Sequence, residues 1–343
     1  MLDFNGYIAN NTCFAAANTY YGFKSNFDEV LERDTLERLL ILKGGPGTGK
    51  SSLMKAVIKY ANHEGIYAEE FLCSSDPSSL DGVVLRDGDK RIAVVDGTAP
   101  HVTDPIYPGA FDEIINLGDG FDISYLKGYG EKIKELSKDK ARFYKEAYEY
   151  LSLAGKVREV MDRKMLECID SDKVKRLALE LVSDVGARQD KQRSYYVSAF
   201  CKDGYVRLSE NINLNKHKIS IKGDGYTEYK VMGTIKALLA GYIEVFCPTP
   251  LDPSKPEAIY TDRMAIIAKN NGEVDSTVIL NKKPTISEEK RLYDYLIDLA
   301  KASFKKASED HFELEDIYKH GVDFSHNEEI YCKIIKDIER ELD

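Results

Sequence analysis

The chain has 343 residues, of which 43% are hydrophobic and 31% charged, and its formal net charge is −10. This length suits about two domains of ~150 residues with packed cores, and the acidic balance, with no long basic run, disfavours a nucleic-acid surface. Nothing approaches the ~18 consecutive apolar residues of a membrane span, Met1-Leu2-Asp3-Phe4-Asn5-Gly6 lacks the basic and apolar regions of a signal peptide, and the six cysteines contain no C-x-x-C pair, which points to free thiols in a reducing cytoplasm rather than a zinc site.

In chain order, Tyr7-Ile8-Ala9 and Phe14-Ala15-Ala16-Ala17, followed by Gly22-Phe23, predict a strand or short hairpin at a sheet edge, and residues 28–38 are charged and helix-compatible. Leu39-Leu40-Ile41-Leu42 reads as a buried strand. Gly44-Gly45-Pro46-Gly47-Thr48-Gly49-Lys50-Ser51 then fits G-x-x-x-x-G-K-[ST], the P-loop pattern. From Ser52 to Asn62, the residues Leu53, Met54, Val57, Ile58 and Ala61 share one helical face, and Gly65 supplies a stop. Strand, glycine-rich loop and helix is the context that the motif demands. Its glycines let successive N–H groups turn towards phosphate oxygens, and the helix N-terminus favours an anion. Residues 44–52, Ser52 included, are therefore the expected cradle for ATP or another nucleoside triphosphate. Lys50 would reach the β- and γ-phosphates, and the Ser51 hydroxyl would hold Mg²⁺.

Tyr67 to Cys73 predicts a second strand, and Ser74-Ser75-Asp76-Pro77-Ser78-Ser79 a loop past its carboxyl end, where α/β sheets place ligand contacts. Asp87-Gly88-Asp89 is a turn. Ile92-Ala93-Val94-Val95 runs into Asp96, the arrangement of a Walker B strand, whose carboxylate holds Mg²⁺ directly or through water. The alternative role for Asp96 is to cap the loop Gly97-Thr98-Ala99-Pro100-His101. His101 either senses phosphate or orients water, or is a loop histidine bonded to its neighbours. Residues 104–122 read as a loop with a short amphipathic element around Phe111, Ile114 and Ile115. From about 130 to 190 the pattern is helical: Tyr144, Ala147, Tyr148 and Leu151 share one face, and Val174, Leu177, Ala178, Leu181, Val182 and Val185 another.

The next segment echoes the first. Tyr195 to Ala199 with Gly204-Tyr205 matches Phe14 to Ala17 with Gly22-Phe23, and Ile219-Ser220-Ile221-Lys222-Gly223 matches Leu40 to Gly44. A helix follows on Val231, Met232, Ile235, Leu238 and Leu239, then a strand from Tyr242 to Cys247, then Pro248-Thr249-Pro250-Leu251-Asp252-Pro253, and Ala265-Ile266-Ile267-Ala268 in place of Ala93 to Asp96. Residues 287–342 repeat the helical region. The chemistry does not repeat. Aligned on Lys43 and Lys222, Tyr229 stands at the place of Lys50 and Glu228 at that of Gly49, while Ala268 replaces Asp96, so the second half keeps a fold without a nucleotide site.

The segments Leu42 to Ser51, Leu72-Cys73-Ser74-Ser75-Asp76-Pro77, Asp96 to His101 and Asp112 to Gly118 resemble a poorly characterised bacterial family of tandem-duplicated P-loop ATPase-like proteins, over nearly the whole chain. The resemblance implies ATP or GTP binding and a duplicated fold, in which the second half often keeps its own P-loop. This chain departs from that pattern at Tyr229 and Ala268. The expected architecture is two α/β units with mainly parallel sheets in α/β/α layers, residues 1–190 and 191–343, each ending in helices. The expected function is a Mg²⁺-dependent ATPase, with a small-molecule or nucleotide kinase and a non-hydrolysing switch as alternatives. Lys50 and Asp96 carry the phosphate and metal roles, Asp76, His101 or Glu113 places the attacking water, and the degenerate half is a possible surface for a protein partner.

Overall fold

The structure, a computed structural model, describes residues 6–182, 184–208 and 217–342. The first half runs β1 (Asn11–Cys13), β2 (Ala16–Thr19), β3 (Gly22–Ser25), α1 (Phe27–Leu31), β4 (Arg38–Lys43), α2 (Lys50–Glu64), β5 (Tyr67–Leu72), β6 (Leu80–Asp87), β7 (Lys90–Asp96), β8 (Asp112–Asn116), α3 (Ile123–Gly128), α4 (Gly130–Leu166) and α5 (Ser171–Leu181). The second runs β9 (Arg193–Ser194), β10 (Ser198–Cys201), β11 (Gly204–Arg207), β12 (His217–Lys222), α6 (Thr227–Leu238), β13 (Ile243–Pro248), β14 (Pro256–Thr261), β15 (Met264–Ala268), β16 (Val274–Asp275), α7 (Ser287–His320) and α8 (Phe324–Leu342).

Among the described residues, these strands build a mixed α/β protein with two six-stranded sheets, ordered β1-β5-β6-β7-β4-β8 and β9-β13-β14-β15-β12-β16. In the first sheet only β6 runs against the other strands. In the second only β14 does, at the corresponding place. Leu42 lies opposite Asp96 and Ile221 opposite Ala268, so the strand ends correspond residue by residue. The hairpins β2–β3 and β10–β11 stand off the sheets, and β1 adds to an edge of the first. The element around Phe111 to Ile115 is the edge strand β8. Leu80–Asp87 forms a strand that pairs with β7 across the turn at Asp87.

The strands read as continuous apolar runs because both faces are covered. Leu40, Leu42, Ile92 and Val94 face α2 and α8. Their neighbours Leu39, Ile41, Ala93 and Val95 join a single buried cluster with Val245, Cys247, Ala258, Tyr260, Ala265 and Ile267 of the second sheet and Phe27, Val30 and Leu31 of α1. Each sheet therefore carries helices on one face and meets the other sheet on the opposite face, instead of forming a separate α/β/α sandwich.

The halves are joined reciprocally. Phe14 and Tyr196 exchange both backbone hydrogen bonds at 2.9 Å, each donating its N–H to the other's carbonyl. The buried Glu69 carboxylate meets Arg193 at 2.9 Å across the seam. Helices are exchanged as well. Ile330, Ile334 and Ile338 of α8 pack with Leu53, Val57 and the strands of the first sheet, whereas Val174 and Ala178 of α5 pack on Val231, Met232 and Ile235 of α6. The long helices α4 and α7, about 55 and 51 Å at ~1.5 Å per residue, lie antiparallel. Leu136 meets Leu314 and Ile317 at one end, and Lys164 meets Glu289 at 2.5 Å at the other.

Because Ile334 is fully buried against the first sheet, Ile334→Ala is expected to destabilise the whole protein by roughly 2–5 kcal/mol. Urea denaturation followed through a first-half probe checks this: a loss below ~1 kcal/mol, or melting of α8 alone, contradicts the exchanged packing.

Candidate functional site

The connection from β4 to α2 winds over the N-terminus of α2. Gly47 and Gly49 sit at φ 69° and 87°, in the left-handed region that only glycine enters freely. Both also lack room for a side chain: a Cβ on Gly47 would lie 2.5 Å from the Glu315 carbonyl oxygen, and one on Gly49 would lie 2.7 Å from Asn327 Nδ2. The loop is braced from within and behind. Thr48 Oγ1 donates to the Gly45 carbonyl at 2.8 Å, and Asn327 Nδ2 donates to the Thr48 carbonyl at 2.8 Å. Its outer wall is thus the corner between α7 and α8, supplied by the second half.

Lys50 opens α2, with its ammonium donating to the carbonyls of Gly44 and Gly45 at 3.2 and 2.9 Å and lying 3.6 Å from Asp96 Oδ2. Asp96 Oδ1 accepts from the Thr98 N–H and hydroxyl. Ser51 Oγ accepts from the Leu80 N–H at 3.0 Å. Lys50 and Ser51 at the start of α2 and Asp96 at the end of β7 line one cavity. Among the described residues no group of three His, Cys, Asp or Glu side chains is placed to hold a metal by itself. Ser51 and Asp96 are hard oxygen donors of the kind that hold Mg²⁺ when phosphate oxygens complete its shell, so the donor set fits that ion only together with a phosphate ligand.

Residues 44 and 46–52 line a cavity of about 1,580 Å³, walled by the hairpin β2–β3, by α4 through Lys140, Tyr144 and Tyr148, and by α7 through Phe304, His311 and Glu315. His101 lines it too, 8% exposed and stacked on Phe27 with ring centroids 5.1 Å apart. Neither of its ring nitrogens has a hydrogen-bond partner. Asp76 lies at the cavity wall, with its Oδ1 bound to Ser78 and 3.8 Å from Lys202 of the β10–β11 hairpin. Glu113 is not among the described lining residues; it is engaged by Arg38 and Lys333.

Asp81, at the start of β6, is a cavity residue that the sequence pattern did not single out. It is buried, 3.7 Å from His101 Nε2, and its carboxyl is pushed up to about 6, chiefly by burial and further by Asp96, with His101 pulling the other way. A signal existed: Asp81 precedes Gly82, which pairs with Val95, and Glu257 precedes Ala258, which pairs with Ile267, so the two carboxylates hold like positions at the start of their antiparallel strands, each after an Asp-Pro-Ser turn.

The equivalent place in the second half is filled. The connection from Lys222 to Thr227 has four residues against six between Lys43 and Lys50. Thr227, not Tyr229, therefore heads the helix where Lys50 does. Asp224 Oδ1 caps α6 by accepting from the N–H groups of Tyr226 and Thr227. The Glu228 carboxylate lies over Gly223, where it would meet any Cβ. Arg158 of α4 donates to the Gly225 carbonyl at 2.6 Å. Tyr229 is buried, and burial first, then Glu257 and Glu228, raise its hydroxyl well above the ordinary range. Two carboxylates at a helix N-terminus already occupy what an anion would need.

Fold and site together define a mixed α/β protein with one open glycine-rich helix N-terminus and one closed one. Residues 23–83, spanning β3 to β6 and including the glycine-rich loop, match the family model described as Nephrocystin 3, N-terminal. No curated protein and no solved structure matches the chain.

The Asp81 carboxyl keeps its proton up to about pH 6 in the folded chain, whereas the unfolded chain loses it near ~4. Folding is thus disfavoured increasingly from pH ~4 to ~6 and by a constant amount above. Asp81→Asn is expected to be more stable than the parent at pH 7.5, on the order of 2 kcal/mol, with the gain vanishing towards pH 4. Nucleotide-free denaturation at pH 4.5 and 7.5 checks this; a difference independent of pH contradicts it.

Proposed function

We propose that the protein binds a nucleoside triphosphate with Mg²⁺ in the first half and hydrolyses it, as a member of the tandem P-loop class, with the second half a degenerate copy. The observation that carries this reading is the loop 44–51, wound over the N-terminus of α2 with Lys50 at its mouth and Asp96 3.6 Å away. Unpaired helix N–H groups and the dipole stabilise phosphate, and Lys50 would leave the Gly44 and Gly45 carbonyls for the β- and γ-phosphates. Ser51 and Asp96 would hold Mg²⁺, whose chemistry when bound is to neutralise charge developing on the phosphoryl oxygens. His101, with two unpartnered nitrogens and Asp81 beside it, would align the attacking oxygen. Phosphoryl transfer needs mainly such positioning and charge.

Transfer to a small molecule is the second reading, favoured by one observation. The cavity, about 1,580 Å³, exceeds the ~300–1,000 Å³ usual for a single ligand and so leaves room for an acceptor.

Titration calorimetry with MgATP tests the site. Lys50→Ala is expected to lose detectable binding, and Asp96→Ala to retain ATP binding while losing its Mg²⁺ dependence. Binding by Lys50→Ala equal to that of the parent would exclude the loop as the phosphate site. Release of labelled phosphate in the presence and absence of candidate acceptors separates hydrolysis from transfer.

A further inference from the structure

Among the described residues, the lysines around the cavity are neutralised with one exception. Lys50 faces Asp96 at 3.6 Å, Lys319 faces Glu315 at 3.4 Å, Lys202 faces Asp76 at 3.8 Å and Lys145 faces Glu149 at 3.9 Å. Lys140 lines the same cavity yet makes no hydrogen bond or ion pair with any described residue. It is half-buried on the face of α4 that also presents Tyr144 and Tyr148 to the cavity. Burial first, and then the like charge of Lys50, hold its ammonium below the ordinary lysine range, with Glu315 opposing them.

A half-buried ammonium with no bonded counter-ion, within electrostatic reach of a second ammonium, is an unfavourable arrangement that an anion between the two relieves. Like charges focused in a cleft also raise the local concentration of anions. Lys50 belongs to the loop and stays with it, whereas Lys140 comes from α4, a helix outside the sheet that lines the same cavity.

We infer that Lys140 is the second cationic arm of the site and bonds the terminal phosphoryl group of the bound triphosphate from the side opposite the glycine-rich loop. This inference rests on the nucleotide-binding reading and extends it to phosphate number: a ligand with a γ-phosphate reaches both lysines, and one without it reaches only Lys50. It also supplies a basic group over the transferred phosphoryl, in a stretch of sequence that has no arginine between Arg91 and Arg142.

The test is calorimetric titration of the full chain with MgATP and MgADP, for the parent, Lys140→Met and Lys140→Arg, with thermal melts to establish that each variant is folded. The parent is expected to bind MgATP more tightly than MgADP. Lys140→Met is expected to weaken MgATP by about tenfold or more, the size of one charged hydrogen bond, and to leave MgADP essentially unchanged, while Lys140→Arg restores most of the preference. A folded Lys140→Met that keeps the parent's ATP-to-ADP ratio overturns the inference alone, whether both affinities hold or fall together. A parent chain that binds neither nucleotide overturns the inference and the reading beneath it.

Discussion

Each sheet of this protein has two apolar faces, and the helices on its outside cover only one of them. That shortage organises the molecule. Strands such as Leu39–Leu42 and Ile92–Val95 send alternate side chains outward to α2 and α8 and inward to the other sheet, so neither half buries its core without its counterpart. At ~25 cal/mol per Å² of apolar surface buried, the inner cluster is one of the apolar contacts that hold the halves together. The reciprocal Phe14–Tyr196 bonds and the Glu69–Arg193 pair then fix the register. A buried ion pair contributes little net stability once desolvation is counted; its consequence here is that only one relative placement satisfies both charges.

The antiparallel α4–α7 pair follows from the same arrangement. One helix from each half crosses the seam, so α4 reaches both turns, the first with its earlier part and the second with its end. At the first turn this gives a cavity with Lys140 and Tyr144 on one wall and Phe304 and Glu315 on another. At the second, the matching stretch of α4 brings Arg158 onto the Gly225 carbonyl, with Asp162 and Lys255 beside it. The second turn is two residues shorter and has two carboxylates at the helix start, so packed polar groups stand there where the first turn faces a hollow, with the same strand order around both.

Much of the first half was legible because its signals are local. Buried parallel strands announce themselves as apolar runs, and the loop motif carries its own backbone requirement in Gly47 and Gly49. The likeness of the halves was read from element order, and the two sheets share a strand order in which Asp96 pairs with Leu42 and Ala268 with Ile221. What escaped the sequence depends on distant partners. Asp81 looks like an ordinary turn residue until β6 is seen to begin beside β7 and His101. Lys140 is one of many lysines on a charged helix until α4 is laid over the loop. The placement of Tyr229 at the position of Lys50 failed because an ungapped alignment has no means of detecting a shortened turn. The sheet-to-sheet packing was hidden for a related reason: an inner strand face reads the same whether a helix or another sheet covers it.

The backing of the glycine-rich loop has a consequence for biosynthesis. Residues 44–51 are made early, yet the atoms they lean on, the Glu315 carbonyl and the Asn327 amide, are translated more than 260 residues later. On a ribosome adding roughly 5–20 residues per second, the nascent first half spends many seconds with its loop unsupported and its inner sheet face bare. Vectorial synthesis therefore makes the motif long before it makes the wall that shapes it, and the order of maturation runs from the last helices back to the first turn.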